Sequence, residues 1–162
     1  MTPNFPTPSL VLLVGPSGAG KSTFARAHFR PNEVVSSDEL RERVADDAND
    51  QDASADAFRL LALILNGRLK RRLTAVVDAT NLRARNRKRL SSLAARYGVP
   101  VVAILFDLPE STFLDNNARR PDRRVDEEVI ADQVALMREA VRDVRSEGYV
   151  QVHYVRELPA GG

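Results

Sequence analysis

The sequence contains no cysteine and no long hydrophobic run. Without cysteine the chain forms no disulfide, binds no metal through thiolates and uses no cysteine nucleophile. The apolar run Leu10–Val14 is far too short for a signal peptide or a membrane span. These absences predict a soluble, cytoplasmic protein with no membrane partner, and its 162 residues suit one domain with its own core.

Lysine is also scarce, at three of the 24 basic residues, and the charges are unevenly distributed. Residues 36–57 contain eight acidic residues and two arginines, whereas residues 83–124 contain ten basic and four acidic residues. This asymmetry indicates an anionic ligand near the basic half. For residues 83–96 the alternative is a solvated helix face, which is the usual meaning of scattered surface charge.

Short apolar runs alternate with longer amphipathic segments, which predicts an α/β fold with a parallel sheet flanked by helices. The predicted strands are Leu10–Val14, Val34–Ser36, Ala75–Asp78, Val101–Phe106 and Val150–Val155. The predicted helices are Lys21–Phe29, Asp38–Val44, Ala55–Arg72, Arg83–Tyr97 and a pair near Pro109–Asn117 and Asp126–Arg145. We expect one domain over residues 9–158, between a flexible leader (1–8) and a tail (159–162). Its ligand should lie beyond the carboxyl ends of the strands.

Residues 15–22 read GPSGAGKS, a complete P-loop motif that follows a predicted strand and opens a predicted helix. Its glycines let successive N–H groups point at phosphate oxygens, and the helix N-terminus adds a favourable dipole. Lys21 is expected to reach the β- and γ-phosphates, and Ser22 to offer its hydroxyl to Mg²⁺. The motif predicts binding of an NTP, either ATP or GTP, with Mg²⁺. The nucleotide-binding residues are predicted to be Gly15, Ser17, Gly18, Ala19, Gly20, Lys21, Ser22 and Thr23.

The end of the second predicted strand offers a candidate base. No segment has the apolar strand ending in Asp-Glu that is usual in motor ATPases. Asp38 instead follows Val34–Ser36, where a carboxylate would face the γ-phosphate and accept a proton from an acceptor hydroxyl. Asp38 also stands at a helix start, so it could be only an N-cap, and its pairing with Arg41 could be an ordinary surface ion pair.

Two further clusters are candidates for the site. Asp78 ends the third predicted strand, so it could hold water around Mg²⁺ while Thr80 or Asn81 shapes the loop; the alternative is an Asx-turn. Residues 117–124 read NARRPDRR between two predicted helices, and the proline places the arginines on a hinge or lid. A lid arginine can neutralise charge on the transferred phosphoryl group; the alternative is a solvated basic turn.

Five segments in this order resemble a known family: the P-loop followed by STF at 22–24, SSDELR at 36–41, DDANDQ at 46–51, DATN at 78–81 and RPDR at 120–123. Together they resemble the kinase domain of bacterial polynucleotide kinase–phosphatase, a 5′-OH end-healing enzyme of RNA repair. The similarity extends from about residue 10 to about residue 155. The P-loop is generic to a superfamily, and the other four segments are more specific.

The resemblance implies an adenylate-kinase-like P-loop phosphotransferase with a helical lid at about residues 109–125. It implies Asp38 as general base, Arg41 and Gln51 as acceptor contacts, and Arg120 and Arg123 as lid arginines. We expect Arg123 to contact both the nucleotide and the transition state. The acceptor would be the 5′-OH end of RNA or DNA, and the kinase is one module beside phosphatase and ligase modules in that family. Asn116 stands where relatives often carry another lid arginine, so either Arg119 substitutes from a neighbouring position or the lid engages the triphosphate differently.

Two other functions fit a P-loop in this context. A small-molecule kinase of the same superfamily, acting on a sugar, nucleoside or antibiotic hydroxyl, would share the P-loop, the aspartate and the lid. It would need a closed acceptor pocket, whereas a polynucleotide kinase needs an open basic one. A non-catalytic nucleotide-binding module would need neither Asp38 nor Arg123.

Overall fold

The computed structural model describes residues 4–121 and 125–159. The strands are β1 (Leu10–Val14), β2 (Val34–Ser36), β3 (Ala75–Asp78), β4 (Val101–Phe106) and β5 (Gln151–Val155). The helices are α1 (Lys21–His28), α2 (Ser37–Ala45), α3 (Ser54–Lys70), α4 (Ala84–Arg96), α5 (Glu110–Ala118) and α6 (Glu127–Asp143). Short 3₁₀ turns cover Pro31–Glu33, Gln51–Ala53 and Val144–Ser146. The predicted parallel sheet flanked by helices is confirmed.

The strands form one parallel sheet in the order β2-β3-β1-β4-β5. β1 lies at its centre, where Leu12 pairs with Val77 of β3 on one side and with Ala103 of β4 on the other. All five residues of β1 are fully buried, because helices cover both faces of the sheet. This burial explains the continuous apolar runs, since neither face of the strand meets water.

Alternate residues of the central strands divide the core into two layers. Leu10, Leu12 and Val14 pack with the α3 stripe of Leu61, Leu65 and Leu69, together with residues of α4 and the C-terminal half of α6. Val11 and Leu13 face the other layer, which contains residues of α1, α5 and the N-terminal half of α6. Both ends of α6 therefore contact the core, which fixes this helix beside the P-loop.

Of the leader predicted at residues 1–8, the described part includes Phe5. Its ring stacks on Phe29 with centroids 5.5 Å apart and meets the edge of His153 at 5.4 Å. Packing thus begins before the first strand. The tail predicted at 159–162 lies outside the described residues except for Pro159.

The sheet order determines where the site lies. β1, β3 and β2 are neighbours, so their carboxyl ends meet at one edge of the sheet. The segments that follow these strands are the P-loop, the loop after Asp78 and the start of α2. The candidate residues of three separate sequence motifs are therefore brought to one edge, where ligands bind in open parallel sheets.

Candidate active site

The P-loop backbone has the conformation of an anion cradle. Gly18 and Gly20 have φ values of +82° and +87°, a left-handed conformation that glycine adopts without strain. Gly20 is the N-cap of α1, and the first turn of α1 contains no acidic side chain. The N–H groups there and the positive end of the helix dipole can therefore serve an anion.

Lys21 lies in the middle of this cradle and is buried. Its Nζ donates hydrogen bonds to the carbonyl oxygens of Gly15, at 2.9 Å, and Pro16, at 2.8 Å. Burial lowers the pKa of Lys21 from 10.5 to about 8, against the raising effect of the carboxylates of Asp78 and Asp38, while the charge of Arg120 lowers it further. Charged side chains from three parts of the chain, namely β3, α2 and the segment after α5, therefore influence the pKa of Lys21.

Ser22 and Asp78 form the adjoining pair. The Ser22 hydroxyl donates to Oδ2 of Asp78 at 2.7 Å. A hydroxyl and a carboxylate are oxygen ligands of the kind that Mg²⁺ prefers, and this ion usually takes its other ligands from water and phosphate. Within residues 4–121 and 125–159 no group of three or more His, Cys, Asp or Glu could hold a metal. The residues present fit an ion held jointly with a triphosphate, and Ser22 and Asp78 could hold it.

Asp38 and Arg41 face each other on α2. The N-cap of this helix is Ser36, whose side chain accepts from the N–H of Glu39, so the reading of Asp38 as an N-cap is wrong. Asp38 Oδ1 instead accepts a hydrogen bond from Arg41, and Arg41 Nε donates to the carbonyl oxygen of Ala48 at 2.8 Å. The Asp38 carboxylate is 35% exposed, so a substrate can still reach it.

The other predicted nucleotide and acceptor residues divide into two sets. Ala19 is a P-loop residue whose side chain is buried in the core, and Thr23 is exposed on the first turn of α1. Gln51 is exposed in a 3₁₀ turn, where its Nε2 donates to the carbonyl oxygen of Asn49 at 3.2 Å. No hydrogen bond among the described residues joins Gln51 directly to Asp38 or Arg41, so its acceptor role stays a prediction.

The loop after Asp78 is held by a network that the sequence did not reveal. Arg87 of α4 is 1% exposed, so the reading of residues 83–96 as a solvated face is wrong at this position. Its guanidinium binds both carboxylate oxygens of Glu147 at 2.8 Å and donates to the carbonyl oxygens of Asn81, at 3.1 Å, and Leu82, at 2.8 Å. The hydrogen bonds from the buried Arg87 therefore hold the loop after Asp78 in place.

Asn81 connects the loop after Asp78 to the end of β1, next to the P-loop. It has a left-handed φ of +51°, and its Nδ2 donates to the carbonyl oxygen of Leu13 at 2.7 Å. The neighbouring Thr80 accepts a backbone hydrogen bond from Gly15 at 3.0 Å. The segment 78–81 is thereby tied to both the end of β1 and the first residue of the P-loop.

α5, which lies within the predicted lid, and α6, which follows it, also touch the P-loop. Asn116 of α5 donates to the carbonyl oxygen of Gly18 at 2.7 Å, and Gln133 of α6 accepts from the N–H of Ser17 at 2.8 Å. A Cβ on Gly18 would lie 3.0 Å from the carbonyl oxygen of Phe113, so only glycine fits beneath α5. The residue that departs from the family pattern, Asn116, is thus a P-loop contact.

Two of the predicted lid arginines, Arg119 and Arg120, lie at the C-terminal end of α5. Arg119 is the C-cap of that helix and is exposed, and Arg120 follows it. Arg120 is close enough to Lys21 to lower its pKa. Arg123 lies outside the described residues, so its role as a transition-state arginine stays a prediction.

The parallel sheet, the P-loop and the lysine within it define a kinase-type P-loop phosphotransferase fold, which implies nucleotide binding. A family model described as an AAA domain matches residues 10–143, and the chain belongs to this family. A search of curated proteins gives no significant match. Among the described residues, no helix is long and apolar enough to cross a membrane.

Several solved structures share the fold. A chain of the Pnkp1/Rnl/Hen1 RNA repair complex is 23% identical, with a TM-score of 0.72 over 86% of this chain and 47% of that chain. A gluconokinase from Sinorhizobium meliloti 1021 is 18% identical, with a TM-score of 0.61 over 96% of this chain and 86% of that chain. The AvrRxo1-ORF1:ORF2 complex with ATP gives 16% identity and a TM-score of 0.69 over 94% of this chain and 55% of that chain. The chain spans about half the length of the RNA repair relative.

Proposed function

We propose that the protein is a 5′-hydroxyl polynucleotide kinase, which transfers the γ-phosphoryl group of an NTP to the 5′-OH end of RNA or DNA. The observation that carries the proposal is the meeting of a phosphate-binding lysine with a paired aspartate and arginine at one edge of the sheet. The negative charge of Asp38 acts to raise the pKa of Lys21, and Asp38 accepts a hydrogen bond from Arg41.

The donor half of the site would hold the triphosphate. The N–H groups of the P-loop and the Lys21 ammonium would bind its phosphates, and Ser22 with Asp78 would hold Mg²⁺. The ion would supply charge neutralisation between the β- and γ-phosphates. Arg120 already lies near Lys21, and Arg123 would join it against the equatorial oxygens of the transferred group.

The acceptor half would work by general base catalysis. Asp38 takes the proton from the 5′-hydroxyl while the oxygen forms a bond to the γ-phosphorus. The bond between that phosphorus and the β–γ bridging oxygen breaks, and the NDP leaves. The hydrogen bond from Arg41 holds the Asp38 carboxylate in one orientation, and the same guanidinium would contact the first phosphate of the acceptor strand.

Two observations support a polynucleotide over a small molecule. The five sequence segments that resemble polynucleotide kinase–phosphatase agree with the fold similarity to the RNA repair chain. The Asp38 carboxylate is 35% exposed, so an acceptor strand can reach it from the surface.

The second candidate is a small-molecule kinase. The observation that favours it is the fold similarity to the gluconokinase, because this chain covers 86% of that protein. Such an enzyme would phosphorylate a polyol without any dependence on strand phosphates.

The test is incubation with γ-labelled ATP or GTP, Mg²⁺ and a panel of 5′-OH oligonucleotides and small polyols, with a 5′-phosphorylated oligonucleotide as the blocked control. We expect label on 5′-OH strands alone. At saturating NTP and Mg²⁺, acceptor affinity should fall with salt at a log–log slope of roughly −1.4 to −2.8, for about two to four phosphate contacts. A flat slope together with polyol phosphorylation at the oligonucleotide rate would refute the polynucleotide proposal.

A further inference from the structure

One peptide group of the P-loop is bound from both sides. The carbonyl oxygen of Pro16 accepts from the Lys21 Nζ at 2.8 Å, and the N–H of the same peptide, which belongs to Ser17, donates to Oε1 of Gln133 at 2.8 Å. Lys21 is the residue that reaches the β- and γ-phosphates in a P-loop. Gln133 and Lys21, the residue expected to contact the γ-phosphate, therefore bind opposite edges of the same peptide group.

The chemistry of this contact fixes the orientation of the Gln133 amide. A backbone N–H can bond only to an acceptor, so Oε1 must face Ser17 and the Nε2 amino group must face away. Within residues 4–121 and 125–159, Nε2 has no hydrogen-bond acceptor. Two oriented donor hydrogens are thus left at the P-loop, on a side chain that is already anchored.

α6 keeps this side chain in place. Ile130 and Val134, which flank Gln133 on the helix surface, are 0% and 6% exposed in the core. Gln133 itself is partly exposed at the border of this buried stripe. A side chain held by a helix that packs on the core and by a backbone hydrogen bond loses little entropy when it binds a ligand, which is the condition for a preorganised donor.

We propose that Gln133 is a γ-phosphate-binding residue: Oε1 stays on the Ser17 N–H, and Nε2 donates to a terminal phosphoryl oxygen of the NTP. The proposal rests on the phosphotransferase function for its purpose, since a donor at this oxygen positions the group that moves. It concerns the nucleotide alone, so it holds whichever hydroxyl is the acceptor.

The test compares nucleotides with and without a γ-phosphate. Gln133→Glu keeps an acceptor for Ser17 but removes the donor and adds a negative charge; Gln133→Met removes both functions. The exposed neighbour Asp132 provides the control variant Asp132→Asn. Binding of ATP·Mg²⁺ and ADP·Mg²⁺ to each variant is measured by calorimetry, without acceptor, and thermal unfolding verifies that each variant is folded.

We expect Gln133→Glu to weaken ATP binding by about 10- to 100-fold, the usual effect of losing a hydrogen bond to a charged group, with ADP binding within about twofold of wild type. Gln133→Met should show the same selectivity, and Asp132→Asn should bind both nucleotides normally. Equal losses for ATP and ADP, loss of ADP binding in both Gln133 variants, or no loss at all would overturn the proposal. Because no acceptor is present, these results are independent of the polynucleotide test.

Discussion

The burial of the charged Lys21 side chain predicts that this residue destabilises the folded protein when no nucleotide is bound. The perturbation is Lys21→Met, which keeps the length of the side chain and removes the charge. Lowering the pKa from 10.5 to about 8 corresponds to about 3 kcal/mol of free energy against the charged form in the folded state. The two hydrogen bonds to Gly15 and Pro16 offset this by about 1 kcal/mol each in the wild type. We therefore expect the variant to be at least as stable as the wild type at pH 7.

The sign of the pH dependence follows from the direction of the shift. Below pH 8 the lysine is protonated in both the folded and the unfolded states, so the buried charge lowers the free energy of unfolding by its full amount. Between about pH 8 and 10.5 the unfolded chain holds a proton that the folded protein has lost, so the free energy of unfolding of the wild type rises with pH. The variant lacks this group, so the stability difference between the two proteins should change by about 3 kcal/mol across that window.

The assay is urea unfolding from pH 7 to 10.5 without nucleotide or Mg²⁺. Lys70→Met is the matched control, because Lys70 is an exposed lysine of α3 and its replacement removes the same charge from the surface. A wild-type minus Lys21→Met difference that is constant with pH would refute the reasoning from burial. Lys21→Met should also lose phosphoryl transfer. A folded variant with normal transfer would refute the role of the P-loop lysine.

The remaining predictions concern the base, its partner and the buried arginine. Asp38→Asn should lower turnover by about 10²- to 10⁴-fold with NTP affinity little changed, measured by steady-state kinetics and nucleotide titration; normal turnover would exclude Asp38 as the base. Arg41→Ala should weaken use of a 5′-OH strand with a 3′-phosphate on its first nucleotide more than use of a bare nucleoside, and equal effects would argue against a phosphate contact. Arg87→Met removes the ion-pair partner of the Glu147 carboxylate and should cost about 3 kcal/mol of unfolding free energy, or a fall in Tm of about 6–12 °C. A loss below about 1 kcal/mol in thermal unfolding would contradict a structural role for this ion pair.

The fold could be predicted from the sequence because each strand is a local signal. β1, β2, β3 and β4 coincide with the predicted apolar runs, and β5 begins one residue later than predicted. Burial on both faces favours continuous apolar runs in such strands, so the signal does not depend on distant partners. The P-loop was equally visible, because its glycines, lysine and flanking elements are contiguous in the chain.

What the sequence could not reveal depends on partners far apart in the chain. The side chains of Arg87 and Glu147 are 60 residues apart, and Ser17 and Gln133 are 116 residues apart. Charge and amide side chains are ordinary on helix surfaces, so Arg87 and Gln133 carry no local mark of burial or contact. A weak signal existed for Ser36, which precedes a helix and stands three residues before Glu39, the spacing of a capping box.

The two halves of the candidate site are built by different parts of the chain, and this has a consequence for specificity. The donor half lies after β1 and β3 and is braced by Asn81, by α5 and by α6. The proposed acceptor half is carried by α2, which packs mainly on α3 and joins the sheet through the short edge strand β2. An edge strand with a single neighbour can shift without disturbing the centre of the sheet. Changes in α2 and in the loop that Arg41 holds should therefore alter acceptor choice while leaving nucleotide affinity unchanged, whereas changes at the P-loop contacts of α5 and α6 should do the reverse.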